Sequence, residues 1–434
     1  MAPPRFVNWA RNHRVRVLAR HEPEGEDAVA ALVRDVAARG ERLRVVGAGH
    51  SWSGAAVPDQ HLVSLDRHAG VVAIDPDARR VTVRAGTRLR DLVPVLDAAG
   101  LALENLGSIA EQSVAGAIAT GTHGTGLGHG VLATQVVGMR LVTADGGVRV
   151  LDEAGGDDLL DAARVSLGAL GVVTEVTLRV REAFDLEETS WSLPLEDAAR
   201  ELPDIARAHE HVKLWWLPHT KRAQVYAFAP TSAPRGGRSR LAERLDAALN
   251  RTAFPAILGL GRAAPRAVPA LNRLVAASYF KAGSRVDRSD RVFNVAMPPR
   301  HLEMEYGLPV DAAGDALLAM RDLIERGRLK VGFVQEVRFV AADACHLSPA
   351  SGRESCQLGA YVGRCRDADA FFRAFEHMAL DRDGRPHWGK LFSADAATLA
   401  PRYPRWERFQ ALRRELDPAG VFSSAFTRRV FGPG

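Results

Sequence analysis

A chain of 434 residues is long enough for two domains that each bury a core. With 47% apolar and 25% charged residues, it has the composition of an ordinary soluble globular protein. The net charge of +5 comes from Arg interspersed with Asp and Glu, without a basic block or basic-aromatic interleaving. That pattern argues against a nucleic-acid binder and for a mildly basic surface that attracts small anions.

The N-terminal MAPPRFVNWARNH lacks the apolar core of a signal peptide. Val29, Leu32, Val33 and Val36 fall at helical spacing, which predicts a helix over 26–39 ended by Gly40. Arg44-Val45-Val46 reads as a buried strand feeding a turn, Gly47-Ala48-Gly49, whose missing side chains let backbone N–H groups approach a ligand. A polar cluster follows: His50, Ser51, Trp52 and Ser53. The turn is neither G-x-G-x-x-G opening a helix nor a P-loop with its lysine. Alone it is equally an ordinary turn beside a hydrogen-bonded histidine.

Short strands are predicted at 61–65, 71–74 and 80–83, and Thr87 is the expected N-cap of a helix running to Ala99 before Gly100. Residues 101–104 lead into a second glycine-rich loop, Gly107 to Gly130, reading GSIAEQSVAGAIATGTHGTGLGHG. Two such loops in one region suggest a long, phosphate-bearing ligand held at several points. A hairpin is predicted from 136–144 and 148–151 around Asp145-Gly146-Gly147. A helix over 157–167 and a β-branched strand over 171–178 close this first region near residue 180.

From residue 181 the texture changes, with Trp191, Trp215, Trp216 and Tyr226 and two long helical patterns. This points to an α+β substrate or cap domain over 181–380. Ala233 to Arg238 is expected to be an exposed loop. The most apolar stretch, Ala253 to Phe280, is broken by Arg262, Arg266, Arg273 and three prolines. It cannot supply the roughly 20 apolar residues of a membrane span. Period two in the run 334–340 places Glu336 and Arg338 on one face and Val337 and Phe339 on the other. By itself that is equally a surface ion pair. Cys345, Cys356 and Cys365 are an odd set without a disulfide framework, which suits a reducing cytoplasm. Lys390 is one of only five lysines among 57 basic residues, so a compact, deprotonatable cation is wanted there or a surface lysine fell there by chance. His13, His123 and His129 show no spacing that implies a metal site.

The G-x-G-H-S run, followed by GSIAEQSVAGAIATGTHGTG, resembles the FAD-binding domain of the vanillyl-alcohol-oxidase type of flavoproteins. EVRF at Glu336–Phe339, RPHWGK at Arg385–Lys390 and LDPAGVF at Leu416–Phe422 are similar to its sugar-lactone and alditol oxidase branch, in particular to L-gulono-1,4-lactone and D-arabinono-1,4-lactone oxidases. The resemblance implies a two-domain α+β flavoprotein with residues 1–180 binding FAD, 181–380 forming the cap, and 381–434 returning to the FAD domain. It implies FAD joined covalently to His50. Gly47, Ala48, Gly49, Ser51, Gly107, Ser108, Ser113, Gly116, Gly121, His123, Gly124, Val173 and Lys390 would also contact the cofactor.

The resemblance makes Glu336, Arg338 and Lys390 catalytic. Glu336 would accept hydrogen bonds from sugar hydroxyls, Arg338 would stabilise an oxyanion, and Lys390 would reach the reacting hydroxyl. The implied reaction is oxidation of an aldono-1,4-lactone by hydride transfer, with O2 reduced to H2O2. Gly107, small where bulk would hinder oxygen, favours an oxidase over a dehydrogenase. Alditol oxidases carry His and Thr where this chain has Gly359 and Tyr361, which favours a lactone over an open-chain polyol. A non-enzymatic binding protein would need both glycine-rich loops empty. A soluble cytoplasmic protein is expected; no oligomeric state is fixed, and a monomer is compatible with the sequence.

Overall fold

The computed structural model describes residues 3–156, 158–236, 248, 252–295, 299–363 and 365–432. Its N-terminal part is built on a three-stranded and a five-stranded sheet, beside a two-stranded pairing of Arg5–Val7 with Arg14–Arg16. Leu43–Val46 and Ala19–His21 flank His61–Ser64 in a parallel three-stranded sheet. Val71–Asp75, Arg80–Arg84, Val172–Arg179, Val136–Val142 and Val148–Asp152 form an antiparallel sheet in that spatial order. The helix Glu26–Ala38 buries Val29, Val33 and Val36 against the core that includes Leu43, Val63 and Val142.

Several local expectations are corrected by tertiary contacts. Thr87 does not cap a helix. The helix is Leu89–Ala98 behind Arg88, while the Thr87 hydroxyl donates to the Arg84 carbonyl at 2.6 Å and accepts from Gly70 N–H at 2.9 Å. The helix expected to reach Leu167 stops at Arg164, and Leu167 takes φ +55°; its expected start, Asp157, lies outside the described residues. Inside the second glycine-rich loop the chain forms a short helix, Val114–Ala119, capped by Ser113 Oγ, which accepts from Gly116 N–H at 3.3 Å. The glycines there hid its small apolar residues.

The rest of the chain builds one eight-stranded sheet. Its order is Gly283–Arg288, Asp185–Pro194, Arg222–Thr231, His211–Trp216, Gln335–Val340, Ser355–Val362, Leu302–Pro309 and Arg385–Pro386. Helices Leu195–Ala208, Ala313–Arg326 and Ala368–Leu380 place Leu202, Leu317 and Phe371 in its core. The apolar stretch 253–280 is two helices, Ala253–Ala263 and Val268–Tyr279. Among the described residues no helix is long and apolar enough to cross a membrane. The expected loop at 233–238 is irregular up to Gly236, and Arg238 lies outside the described residues. All three cysteines are free.

The C-terminal segment first adds Arg385–Pro386 to the edge of the large sheet, then returns to the first region. There Leu43 N–H donates to the Val421 carbonyl at 2.9 Å. Arg44 is buried and spreads its guanidinium over carbonyls of Ala55, Leu167, Gly168 and Phe422. Burial lowers its pKa to about 10, still far above neutrality, so a fixed cation ties three chain segments together.

Candidate active site

The two glycine-rich loops meet face to face along a cleft. Its lining includes Gly47, Ala48, Gly49, His50, Ser51, Ser113, Gly116 and Val173, all expected from sequence, together with Gly86, Gln112 and Gly171. Small residues are required here by contact. A Cβ on Gly47 would sit 2.1 Å from Ser113 Oγ, and one on Gly86 only 1.9 Å from the Leu65 carbonyl oxygen. Gly49 takes φ +66°, the left-handed region that glycine enters without penalty.

His50 stacks against Trp9 with ring centroids 5.8 Å apart. Both its ring nitrogens are buried without a hydrogen-bond partner, and burial lowers its pKa, keeping the ring neutral. An orphaned, neutral imidazole at the end of a glycine-walled cleft fits a bound flavin nucleotide.

Three segments far apart in sequence converge beside His50. Trp52 N–H donates to the Gly389 carbonyl at 2.7 Å, and Ser53 Oγ donates to that of Trp388 at 2.6 Å. These bonds seat the HWGK segment on the first loop and hold Lys390 Nζ 4.4 Å above the Trp52 ring. Lys390 pairs with Glu303 at 2.5 Å. From the other side Arg338 donates to Ser108 Oγ at 2.9 Å, joining the large sheet to the second loop.

The alternation read at 336–338 holds. Val337 and Phe339 are fully buried on the far face, while Glu336 and Arg338 pair at 2.5 Å on the near one. Glu336 also accepts from Trp215 Nε1 at 2.7 Å and from the Tyr361 hydroxyl at 2.8 Å. Burial alone would raise its pKa, but Arg338 and Lys213 hold it down to about 2. Burial likewise opposes the charge on Arg338, and Glu336 more than restores it, raising its pKa. Both groups stay ionised across the physiological range.

The neighbouring strands carry more charge than the sequence reading anticipated. Glu305 lies opposite Gly359, which lies opposite Glu336, and Glu303 lies opposite Tyr361, so these residues line one face. Burial works against both glutamates. Lys390 and His301 keep Glu303 below its usual pKa, and His123, 2.6 Å from Glu305, keeps that carboxyl well below it. His387, buried beside them, is lowered by desolvation to about 3 and is neutral. Its Nδ1 accepts from Gly389 N–H at 3.0 Å, so its proton sits on Nε2.

Gly121, His123 and Gly124 fall outside the cleft lining. Gly121 approaches Pro349, Gly124 packs on Asn105, and His123 belongs to the glutamate network. Gly107 is also outside the lining; a Cβ there would lie 3.1 Å from Thr122 Cγ2. Trp215, Glu303, Glu305 and Lys213 were missed. The Glu303-Met304-Glu305 alternation was a legible period-two signal; Lys213 and Trp215 had none beyond residue type.

A glycine-walled cleft beside a charged sheet face belongs to a two-domain flavoprotein fold of the vanillyl-alcohol-oxidase type. Residues 6–152 match the FAD-binding domain family, and residues 176–430 match the D-arabinono-1,4-lactone oxidase family. The chain belongs to the D-arabinono-1,4-lactone oxidase family and is an FAD-dependent oxidoreductase. It is 37% identical to an L-gulono-1,4-lactone dehydrogenase of Mycobacterium tuberculosis over 99% of this chain and 100% of that one. It is 31% identical to an L-gulonolactone oxidase of Scyliorhinus torazame over 98% of each chain. An alditol oxidase of a Streptomyces species is 36% identical, over 97% of this chain and 98% of that one. The cholesterol oxidase of B. sterolicum shares the fold with a TM-score of 0.82 at 16% identity, over 99% of this chain and 97% of that one.

Proposed function

We propose that this enzyme oxidises an aldono-1,4-lactone of the L-gulono or D-arabinono type, with FAD joined covalently to His50 and O2 as the final electron acceptor. The observation that carries the reading is the convergence of the loop of His50, through Trp52, with Lys390, and of the second glycine-rich loop, through Ser108, with the Glu336–Arg338 pair. FAD, when bound, supplies the two-electron acceptor for the hydride.

The protein's own groups do the rest. Glu336, held ionised, accepts hydrogen bonds from ring or side-chain hydroxyls of the substrate. Arg338, permanently charged, stabilises negative charge as the hydroxyl loses its proton. Lys390, steered by Glu303 and Trp52, reaches the reacting hydroxyl and helps carry that proton away. The substrate carbon loses a hydride and its oxygen a proton, giving a ketone beside the lactone carbonyl. The two electrons and two protons leave as H2O2.

The ring of Tyr361 favours a compact lactone over an extended polyol. A Cβ on Gly359 would meet Tyr361 Cε2 at 2.7 Å, so this wall of the site is already filled. Likeness to the alditol oxidase gives a polyol as the second reading. Likeness to the dehydrogenase makes another acceptor the alternative to O2, against which stands only the small size of Gly107, the residue before Ser108.

Peroxide release by the yellow purified protein, compared on L-gulono-lactone, D-arabinono-lactone, xylitol and sorbitol, tests the reading. Faster turnover on lactones is expected, and faster turnover on polyols overturns the substrate assignment. Flavin bleaching that air reverses only over minutes would make the enzyme a dehydrogenase. Flavin colour that stays with acid-precipitated polypeptide in the wild type but not in His50→Ala is the expected mark of the covalent link.

A further inference from the structure

Away from the catalytic face, His129, Glu210 and His211 come together where the second glycine-rich loop meets the large sheet. The two imidazoles stack with centroids 4.4 Å apart and planes within 7°. Glu210 Oε1 lies 3.5 Å from His129 Nε2 and 3.6 Å from His211 Nε2, at or beyond the limit of a hydrogen bond. Two of the three ligand separations match the edge of a tetrahedron around a metal, about 3.3–3.6 Å for bonds of about 2.0–2.2 Å, and all three atoms lie within 4.8 Å of one another. The partly exposed His129 ring would turn out of the stack to bring its in-plane lone pair onto the same ion.

The outer hydrogen bonds point the same way. His211 Nδ1 faces the Thr125 carbonyl at 2.8 Å, and His129 Nδ1 faces Glu104 at 3.3 Å. A backbone carbonyl and a carboxylate are the partners that fix the tautomer of metal-bound histidines, leaving each Nε2 free as a ligand. His211 is fully buried, and its Nε2 has no hydrogen-bond partner although it is aimed at the cluster. An unpaired ring nitrogen at such a place is unfavourable unless something binds it.

The frame is rigid as well. Gly126, at φ +132°, lets the loop press on the Glu210 carbonyl, where a Cβ would come within 2.2 Å. Gly126 N–H donates to the Phe339 carbonyl, and Ala341 N–H to that of His129, both at 2.8 Å.

We propose that His129, Glu210 and His211 bind a borderline transition-metal ion of the zinc class through Nε2, a carboxylate oxygen and Nε2, with water completing the tetrahedron. The ion clips the cofactor-side loop to the strand His211–Trp216, whose Trp215 holds Glu336. The histidines were invisible as a metal site in sequence because His129 is far from the Glu210-His211 pair.

The experiment titrates chelator-stripped, flavin-loaded enzyme with ZnCl2, reading stoichiometry by competition with a chromophoric chelator and stability by thermal melt. One equivalent per chain is expected, with Tm rising on the order of 3 °C at a hundredfold excess over Kd. His129→Ala and Glu210→Gln, both at partly exposed positions, should melt like the wild type without zinc and lose both zinc responses. Absence of stoichiometric zinc uptake by the wild type would overturn the proposal. So would an unchanged zinc response in the two variants, which would place the ion elsewhere.

Discussion

The glycine-walled cleft proposed for the cofactor and the charged sheet face lie side by side but are built by different physics. The cleft is made of backbone: glycines in two continuous runs, where closeness to neighbours matters and side-chain chemistry hardly does. The sheet face is made of side chains, one or two from each of four strands, whose charges hold one another in place. A steric change should therefore empty the cleft and leave the surviving holoenzyme competent. A charge change should leave the flavin bound and stop the chemistry.

The sharpest test of that contrast is Arg338→Met. It removes the cation proposed to stabilise the oxyanion, with an expected loss on the order of 10²- to 10³-fold in kcat/KM and normal flavin absorbance. It also takes from the buried Glu336 carboxylate one of its two cations, leaving Lys213, Trp215 and Tyr361, so a loss of about 1–3 kcal/mol in stability should appear in denaturant melts. Coupled loss of flavin and activity would instead mean that the two regions are not separable.

Gly86→Ala probes the other side. Its new methyl must push aside the Leu65 carbonyl in the cleft wall, and overpacking of this kind costs about 1–3 kcal/mol. Roughly a tenfold drop in flavin occupancy is expected, with kcat per bound flavin preserved. A fall in kcat at full occupancy would contradict the contrast.

Tyr361→Phe sharpens it more gently. It deletes one of the donors to Glu336 while Trp215 and Arg338 remain, so about a tenfold decrease in kcat/KM for the lactone is expected, with flavin unaffected.

The smallest effect is in acid stability. The Glu336 pKa falls from 4.5 to about 2 on folding, so the folded state holds the proton less tightly than the unfolded chain. The stabilisation is complete above the unfolded value and is lost as pH falls through the folded one. Melts between pH 4.5 and 2 should show a shallower decline in Glu336→Gln than in wild type.

The sequence by itself carried the two glycine-rich loops, His50, the alternation of Glu336 and Arg338, and the odd Lys390. Each is a local pattern, set by what one or two turns of backbone can do or by period two along one strand. Tertiary structure alone decided that Lys390 stands on Trp52, that Glu303 and Glu305 share the face of Glu336, and that Ser108 receives Arg338. It also paired His123 with Glu305, and brought His129 to Glu210 and His211. The reason is register. Which residues face one another across strands distant in sequence depends on pairing offsets that no single strand encodes, and burial then fixes which of those charges can remain ionised.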